Sequence, residues 1–450
     1  MKKRQRFKLN KDKRRENAKM TKQTISNTSI PVNTTVGLKF GFIGLGMAGC
    51  NIAAECAKYT DSNGGSPYSA VLVNTNIRDF SKVKHKKDAF TEVRLSGYEG
   101  GAGRNIEKGE KAFKDNSSEF LNAIKPLSDR DFIWVVAGLG GGTGTGAIIE
   151  AVITLAESGY AEKLGLILTL PRHNEGGNVL GNAFKRIQEI GKIKDAIGSI
   201  IIVDNQKLYT DFLKKEENKA KTMDDFLTYC NRYVADTLHE LNTITNAYEN
   251  MTMEYFDSSE FENTIKQSGY LTLSKLTLID KPDVSNEAQF VSKLKESIEN
   301  GVLSDGYNFE TAQTAAVTTI ANGGQVDYIT NMAFESKVKE VIDSMAPYLD
   351  EYPVAGYKAN NTVGINIYTI FTGLETPTCL GIIGQKYDEF IKAKNAAKKN
   401  DEVLERLNSL NHEKKETNKP KDLRALLSGN SNKDEEKTNA SSNLRGLLDR

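Results

Sequence analysis

Cysteine is scarce in this chain, and what it has is scattered. Cys50, Cys56, Cys230 and Cys379 show no CxxC or framework spacing, which excludes a disulfide scaffold and a structural zinc site and points to reduced thiols in a cytoplasm. Long apolar runs are missing as well. None approaches the roughly 18 residues of a membrane span, and the basic N-terminus is not followed by the apolar stretch of a secretory signal. Both absences point to a soluble, cytoplasmic protein with no membrane partner. Net charge is almost absent at +1, but residues 1–20 carry +8 and residues 386–450 carry +3, which leaves about −10 on the body between them. An acidic body lacks the clustered Lys/Arg that phosphate neutralisation needs, so direct DNA contact is left to the ends. Residues 1–35 read as a disordered basic arm. Residues 1–19 would drop out of it if Met20 is the true start.

With 450 residues and 38% hydrophobic content, the chain can bury more than one core, and about two to three domains is the length expectation. Apolar strand candidates at Leu38–Ile43, Ala70–Asn74, Phe132–Ala137, Leu164–Thr169 and Ser199–Val203 alternate with amphipathic helix candidates. That alternation predicts an α/β fold with a parallel sheet covered on both faces. Met223, Phe226, Leu227, Cys230, Val234, Leu238, Leu241 and Thr245 recur at three- and four-residue spacing and predict a long helix. Beyond it, Tyr270–Ile279, Thr314–Ala321, Val363–Phe371 and Thr378–Ile383 read as strands, with one helix from about Ile329 to Met345. The expected divisions are a parallel-sheet domain at 36–222, a central helix at 223–250, a smaller α+β domain at 251–384, a terminal helix at 385–410 and a disordered tail at 411–450. Inside that tail Leu423-Arg424-Ala425-Leu426-Leu427 is echoed by Leu444-Arg445-Gly446-Leu447-Leu448.

Two glycine-rich loops carry the chemistry. Gly140-Gly141-Gly142-Thr143-Gly144-Thr145-Gly146 follows an apolar strand and opens a helix, so its backbone N–H groups and the helix dipole suit phosphate oxygens, with two threonine hydroxyls as further donors. It lacks the lysine of GxxxxGK[ST] and is not the ordinary P-loop. Gly44-Leu45-Gly46-Met47-Ala48-Gly49 matches GxGxxG after a strand. The dinucleotide reading of that motif wants an acidic residue at the end of the second strand, where Asn74-Thr75-Asn76 stands instead.

GGGTGTG resembles the signature of the tubulin/FtsZ superfamily of GTPases, and further loops agree with that family in chain order. Within it, Leu168-Thr169-Leu170-Pro171-Arg172, Gly103-Arg104-Asn105 and the loop at 255–261 are closest to the plasmid and phage tubulins called TubZ. The resemblance implies GTP/GDP and Mg²⁺ as ligands. It implies a nucleotide site built from Gly46, Met47, Gly49, Cys50, Asn51, Asn76, Ala102, Gly103, Arg104, Asn105, the residues Gly140, Gly141, Gly142, Thr143, Gly144 and Thr145, and Glu175, Asn205 and Asn231. In that scheme Ala102–Asn105 lies against the γ-phosphate, Glu175 meets the ribose, and Asn205 and Asn231 read the guanine edge. Arg104 stands where FtsZ has a methyl, and Val179 replaces an arginine of the FtsZ pattern. Phe226 and Tyr229 are candidates for stacking on the base, while Leu227 holds the position four before Asn231.

Asp257 and Glu260 take the places of the family's catalytic carboxylates, which act on the GTP of the next subunit. By their residue types alone they also suit capping of a helix near Glu260. The resemblance further implies longitudinal filaments, and segregation of plasmid or phage DNA through a small DNA-binding adaptor, TubR-like, on repeated DNA sites, engaged by the C-terminal tail. An FtsZ-like cell-division GTPase is the alternative.

Overall fold

The computed structural model describes residues 35–60, 65–80, 83, 90–279, 287–360 and 362–411. The basic arm and the Leu-Arg-x-Leu-Leu repeats lie outside them.

In the N-terminal half, strands β1 (Phe40–Leu45), β2 (Ser69–Asn74), β3 (Phe90–Arg94), β4 (Phe132–Gly138), β5 (Leu164–Leu170) and β6 (Ser199–Asp204) pair in parallel in the spatial order β3-β2-β1-β4-β5-β6. The central ones are buried along their length, Gly138 at the end of β4 alone being half-buried, as strands covered on both faces must be. Strand order reverses between β1 and β4, and open α/β sheets bind ligands at the carboxyl ends of the strands beside such a reversal. Helices α1 (Gly46–Cys56), α2 (Ile77–Phe80), α3 (Ile106–Asp115), α4 (Ser117–Ala123), α5 (Thr143–Leu155), α6 (Gly177–Ile193) and α7 (Asn205–Leu213) follow the strands.

The first strand starts two residues later than the sequence predicts. Asn242 explains this: its side chain accepts from Leu38 N at 2.8 Å and donates to Leu38 O at 2.7 Å, so Leu38 leaves the ladder to tie the sheet's amino end to helix α8 (Met223–Ala247). Helix α8 opens on a capping box, in which Thr222 and Asp225 satisfy each other's backbone donors. Two rings and an imidazole seal it against α1. Tyr59 stacks on His239 at 3.8 Å, and Tyr68 shares a 2.9 Å hydrogen bond with His239 Nδ1. Burial lowers the His239 pKa to about 4, so the ring is neutral at physiological pH.

After α8 come β7 (Glu249–Asn250), α9 (Ser258–Lys266), β8 (Gly269–Leu278), α10 (Glu287–Asn300), β9 (Thr314–Ala321), α11 (Val326–Ile329), α12 (Met332–Met345), β10 (Val354–Lys358), β11 (Ile365–Leu374) and α13 (Thr378–Asn411). Strand β8 pairs parallel to β6 and antiparallel to β11, so the ladder runs on through β11, β9, β10 and β7 as one 11-stranded sheet. The expectation of a single helix among the later strands is corrected: α10 and α12 both pack there, with Phe290 and Phe334 in ring contact at 5.7 Å.

Thr378–Ile383 is also corrected, from strand to the first turns of α13. Its buried positions are Cys379, Leu380 and Ile383, a helical spacing that a six-residue apolar run does not distinguish from a buried strand. The helix continues along α6, where Tyr387 meets Phe184. All four cysteines are buried free thiols, and among the described residues no helix is long and apolar enough to cross a membrane.

Candidate functional site

Every loop that the sequence marks for the nucleotide leaves a strand of the parallel half at its carboxyl end. Residues 46–51 follow β1, 74–76 follow β2, 95–105 follow β3, 139–145 follow β4, 171–176 follow β5, and 204–206 follow β6. The two glycine loops sit on either side of the strand-order reversal and press directly on each other. Gly46 adopts φ +67°, and a Cβ there would come within 2.7 Å of Gly144 N; a Cβ on Gly144 would come within 2.6 Å of Leu45 O. Side chains are therefore excluded from the seam for two reasons, backbone conformation and space. The third loop closes on the second, since a Cβ at Gly142 would meet the methyl of Ala102 at 2.7 Å.

Small polar side chains hold this arrangement. Thr145 Oγ1 accepts from Gly140 N at 2.8 Å and donates to Gly138 O at 3.2 Å, with no exposed surface. Its hydroxyl is committed to the loop, which corrects its reading as a phosphate donor. Thr143 Oγ1 shares a 2.7 Å hydrogen bond with Thr75 Oγ1, linking the loops after β2 and β4. Asn105 caps α3 by accepting from Lys108 N at 2.7 Å. Asn182, which sequence reasoning missed, donates to Arg104 O at 2.8 Å and to Gly140 O at 3.2 Å. Arg104 is the one non-glycine residue with positive φ, at 63°, among the described residues, and its exposed guanidinium bonds to none of them. Holding such a residue left-handed costs about 1 kcal/mol.

Arg186 was missed too. It is 2% exposed and meets Glu189 at 2.7 Å and Glu110 at 3.5 Å, beneath the first turn of α5. Glu189 is a local partner, three residues on in the same helix, but Glu110 comes from α3 and no local spacing marks that contact.

Two expected residues have side chains bonded within the protein. Cys50 is buried, with Sγ 3.3 Å from Gly44 O, and burial pushes its thiol pKa up. Asn76 donates to Asp79 at 3.1 Å and accepts from Arg78 N at 3.1 Å, which caps α2. Only the backbone of Cys50 is left for a ligand, while the Asn76 amide stays partly exposed. Met47, by contrast, is half exposed, and Asn51, Asn205 and Asn231 are partly exposed with amides that bond to no described residue. Glu175 accepts from Arg172 N at 2.9 Å, while the Arg172 guanidinium lies over the Tyr209 ring at 4.7 Å.

Of the two aromatic candidates for the base, one is closed off and the other stays partly exposed. Phe226 is 2% exposed and edge-on to Tyr209, and Tyr229 stacks on Tyr233. Leu227, 41% exposed and one turn before Asn231, presents the apolar surface on that face.

Asp257 and Glu260 are elsewhere. Asn246, at the end of α8, donates to Val36 O just before β1, and also to Ser258 Oγ; Phe261 touches Phe40, the first residue of β1. The 251–260 segment thus lies at the amino ends of the strands, opposite the glycine loops. The 25-residue helix α8 spans about 37 Å between the two ends. Asp257 is exposed and its Oδ1 accepts from Glu260 N at 2.9 Å, so it is the N-cap of α9. Partial burial, then the charge of Asp257, raises the Glu260 carboxyl above its ordinary range. Around them Met253 is 97% exposed and Tyr255 60% exposed, an apolar rim on an otherwise charged surface.

Comparison with known proteins agrees with this geometry. Residues 39–212 match the family model "Tubulin/FtsZ family, GTPase domain", and residues 254–378 match "Tubulin-like protein TubZ, C-terminal domain". The chain is 38% identical over 389 residues to the tubulin-like protein TubZ of Bacillus cereus, covering 83% of this chain and 88% of that protein. It is 33% identical over 171 residues to cell division protein FtsZ 1 of Pyrococcus abyssi, covering 37% of this chain and 41% of that protein. A GTPγS-form protofilament structure of TubZ from Bacillus thuringiensis serovar israelensis superposes with a TM-score of 0.72 at 18% identity, covering 84% of this chain and 98% of that one. The chain, a GTPase that binds guanine nucleotide, thus belongs to the TubZ family of tubulin-like proteins.

Proposed function

We propose that this protein binds GTP with Mg²⁺ at the carboxyl ends of its parallel strands, assembles head to tail, and hydrolyses each GTP with the Asp257 loop of the adjoining subunit. One observation carries the shared site: the nucleotide loops and Asp257 occupy opposite ends of one rigid sheet. A six-residue strand alone spans about 20 Å, far beyond the reach of a carboxylate toward its own chain's phosphate. Head-to-tail stacking brings the two ends together and covers the exposed Met253 and Tyr255. Turnover per molecule is then expected to rise steeply above a threshold protein concentration. A rate per molecule independent of concentration would overturn the shared site.

Within that site the backbone N–H groups of Gly140–Gly144 and the dipole of α5 meet the phosphates. Arg104 adds a cation beside the terminal phosphate, and Asn205 and Asn231 supply the donor and acceptor pattern that distinguishes guanine from adenine. The protein's donor set suits a Mg²⁺ carried by the nucleotide. No cluster of three metal-ligating side chains exists among the described residues, and phosphate-bound Mg²⁺ keeps much of its water and needs few protein ligands. Thr143, oriented by Thr75, would contribute a hydroxyl contact, and the ion would offset phosphate charge. Asp257 orients the attacking water, which is adequate chemistry for phosphoryl transfer because that reaction asks mainly for positioning and charge stabilisation.

For the cellular role we favour segregation of plasmid or phage DNA, acting in the cytoplasm, over cell division. The TubZ relative is matched across nearly its whole length, the FtsZ relative across less than half. The coupling element in this reading is the segment 411–450, with its two Leu-Arg-x-Leu-Leu elements on a polar tether. Two copies raise effective concentration toward an adaptor arrayed on DNA repeats. Removing 411–450 is expected to spare turnover and pelleting with GTP while weakening co-sedimentation with adaptor-loaded DNA. Undiminished DNA capture by the truncated chain would shift the coupling role to the acidic body.

A further inference from the structure

The loop that carries Asp257 is tied at its start, where Asn250 donates to Glu254 O at 2.9 Å and accepts from Thr252 N at 2.7 Å. After β7 its backbone makes one ladder-like bond, Met251 N to Gly356 O at 2.8 Å, and Thr252 Oγ1 accepts from Gly356 N at 2.7 Å. From there to α9 the chain is irregular, yet Phe256 is fully buried. Its backbone donor and acceptor must be satisfied somewhere. Both find the same atom: Phe256 N donates to Tyr357 Oη at 3.1 Å, and Tyr357 Oη donates to Phe256 O at 3.1 Å. A phenol can accept and donate at once. Burial raises the Tyr357 pKa above that of an ordinary phenol, so its proton is present to donate.

We propose that Tyr357, 101 residues beyond Phe256 and 2% exposed on β10, is the positioning residue for the catalytic carboxylate. The inference rests on Asp257 being the group that acts on the neighbouring subunit's GTP. The peptide unit is planar, and the carbonyl that Tyr357 grips belongs to the unit that also contains Asp257 Cα. The other bond grips the preceding unit through its N–H. One hydroxyl thereby fixes the two peptide planes leading into Asp257. The strand beneath it is itself fixed, with Tyr357 in register with Ile320 of β9 and Asn250 of β7. Glu254 adds an outer clasp, through Lys339 Nζ at 2.9 Å and the backbone N–H of Val354. Asp257 spends one oxygen on its own helix, so the direction of the other follows the backbone that Tyr357 holds.

The test compares full-length Tyr357→Phe with Asp257→Asn. Tyr357→Phe keeps the ring and loses the two bonds. GTP affinity and pelleting with GTPγS are expected to match the native protein, while turnover per polymerised subunit falls roughly tenfold to a hundredfold, in kcat and not in KM, the scale expected of a small misplacement of a reacting group. Tyr357→Phe subunits mixed into native filaments are expected to slow them, since each loop serves a neighbour. Native turnover in Tyr357→Phe alongside a dead Asp257→Asn would overturn the positioning role. Native turnover in Asp257→Asn would overturn the catalytic reading beneath it. Loss of GTPγS pelleting in step with turnover would make Tyr357 merely structural and also overturn the proposal. A second variant covers a folding failure: tetrafluorotyrosine at position 357 retains ring and hydroxyl, and its more acidic phenol is expected to lose turnover at alkaline pH where the native protein does not. An unchanged pH profile would again count against the role.

Discussion

Asp257→Asn is expected to abolish GTP turnover while leaving fold stability, nucleotide binding and filament formation in place, so that filaments become long and static. The asparagine is the informative substitution because it separates the observed cap of Asp257 from its proposed catalytic role. As the N-cap of α9 it accepts from Glu260 N, and asparagine caps a helix about as well as aspartate. For the proposed action on the next subunit's γ-phosphate it needs its charge, which asparagine lacks. General-base or water-orienting assistance contributes roughly 10²- to 10⁴-fold, so the loss should fall in that range. Asp257→Ala removes both roles and should add a stability cost of about 1 kcal/mol. Thermal melts and phosphate release on the two variants separate cap from catalyst. An asparagine variant that turns over at the native rate would leave Asp257 as a cap alone and pass the catalytic role to Glu260.

Gly144→Ala is expected to cost at least a hundredfold in GTP affinity. Its methyl would lie 2.6 Å from Leu45 O, a backbone atom with no rotamer to escape into. The two glycine loops must then separate, and backbone N–H groups aimed at phosphate oxygens move with them. Hydrogen bonds to charged groups contribute about 1.5–3 kcal/mol each, so losing two of them accounts for the drop. Titration with GTP and ATP reads both the loss and the base preference: the native protein should favour GTP, and the variant should bind neither well. Gly191→Ala is the control, since it lies in the last turn of α6, away from the loops, and nothing lies within 4 Å of a Cβ there. Native affinity in Gly144→Ala, on a variant shown to be folded, would remove the glycine seam from the nucleotide site.

What could be read from the sequence is whatever the chain encodes over a few neighbouring residues. A phosphate loop is a strand, a run of glycines and a helix start in succession, so 44–49 and 140–146 were visible as such, and the buried parallel strands showed as continuous apolar runs. The order of the loops along the chain also carried the family. Even locally, backbone and side chain parted company. Thr145, Cys50 and Asn76 stand in nucleotide loops, but their side chains serve the protein, because a side chain's partner depends on what packs against it. The strand expected at Thr378–Ile383 became helix for a related reason: a short apolar run suits either state until α6 supplies a groove for Tyr387 beside Phe184.

Distance along the chain sets what only the tertiary structure decided. Arg186 reaches Glu110 across 76 positions, and Asn242 reaches Leu38 across 204; no periodicity links such pairs, since each is made by helices and strands packing after they form. The same holds for the location of Asp257. The sequence alone determined that this chain has a tubulin-type nucleotide loop and an acidic pair before a helix. That the two sit at opposite ends of one sheet, with Tyr357 gripping the backbone beside the acid, followed from how α8 and β10 pack. Local spacing specifies local backbone; which surfaces face each other is specified by burial summed over the whole core.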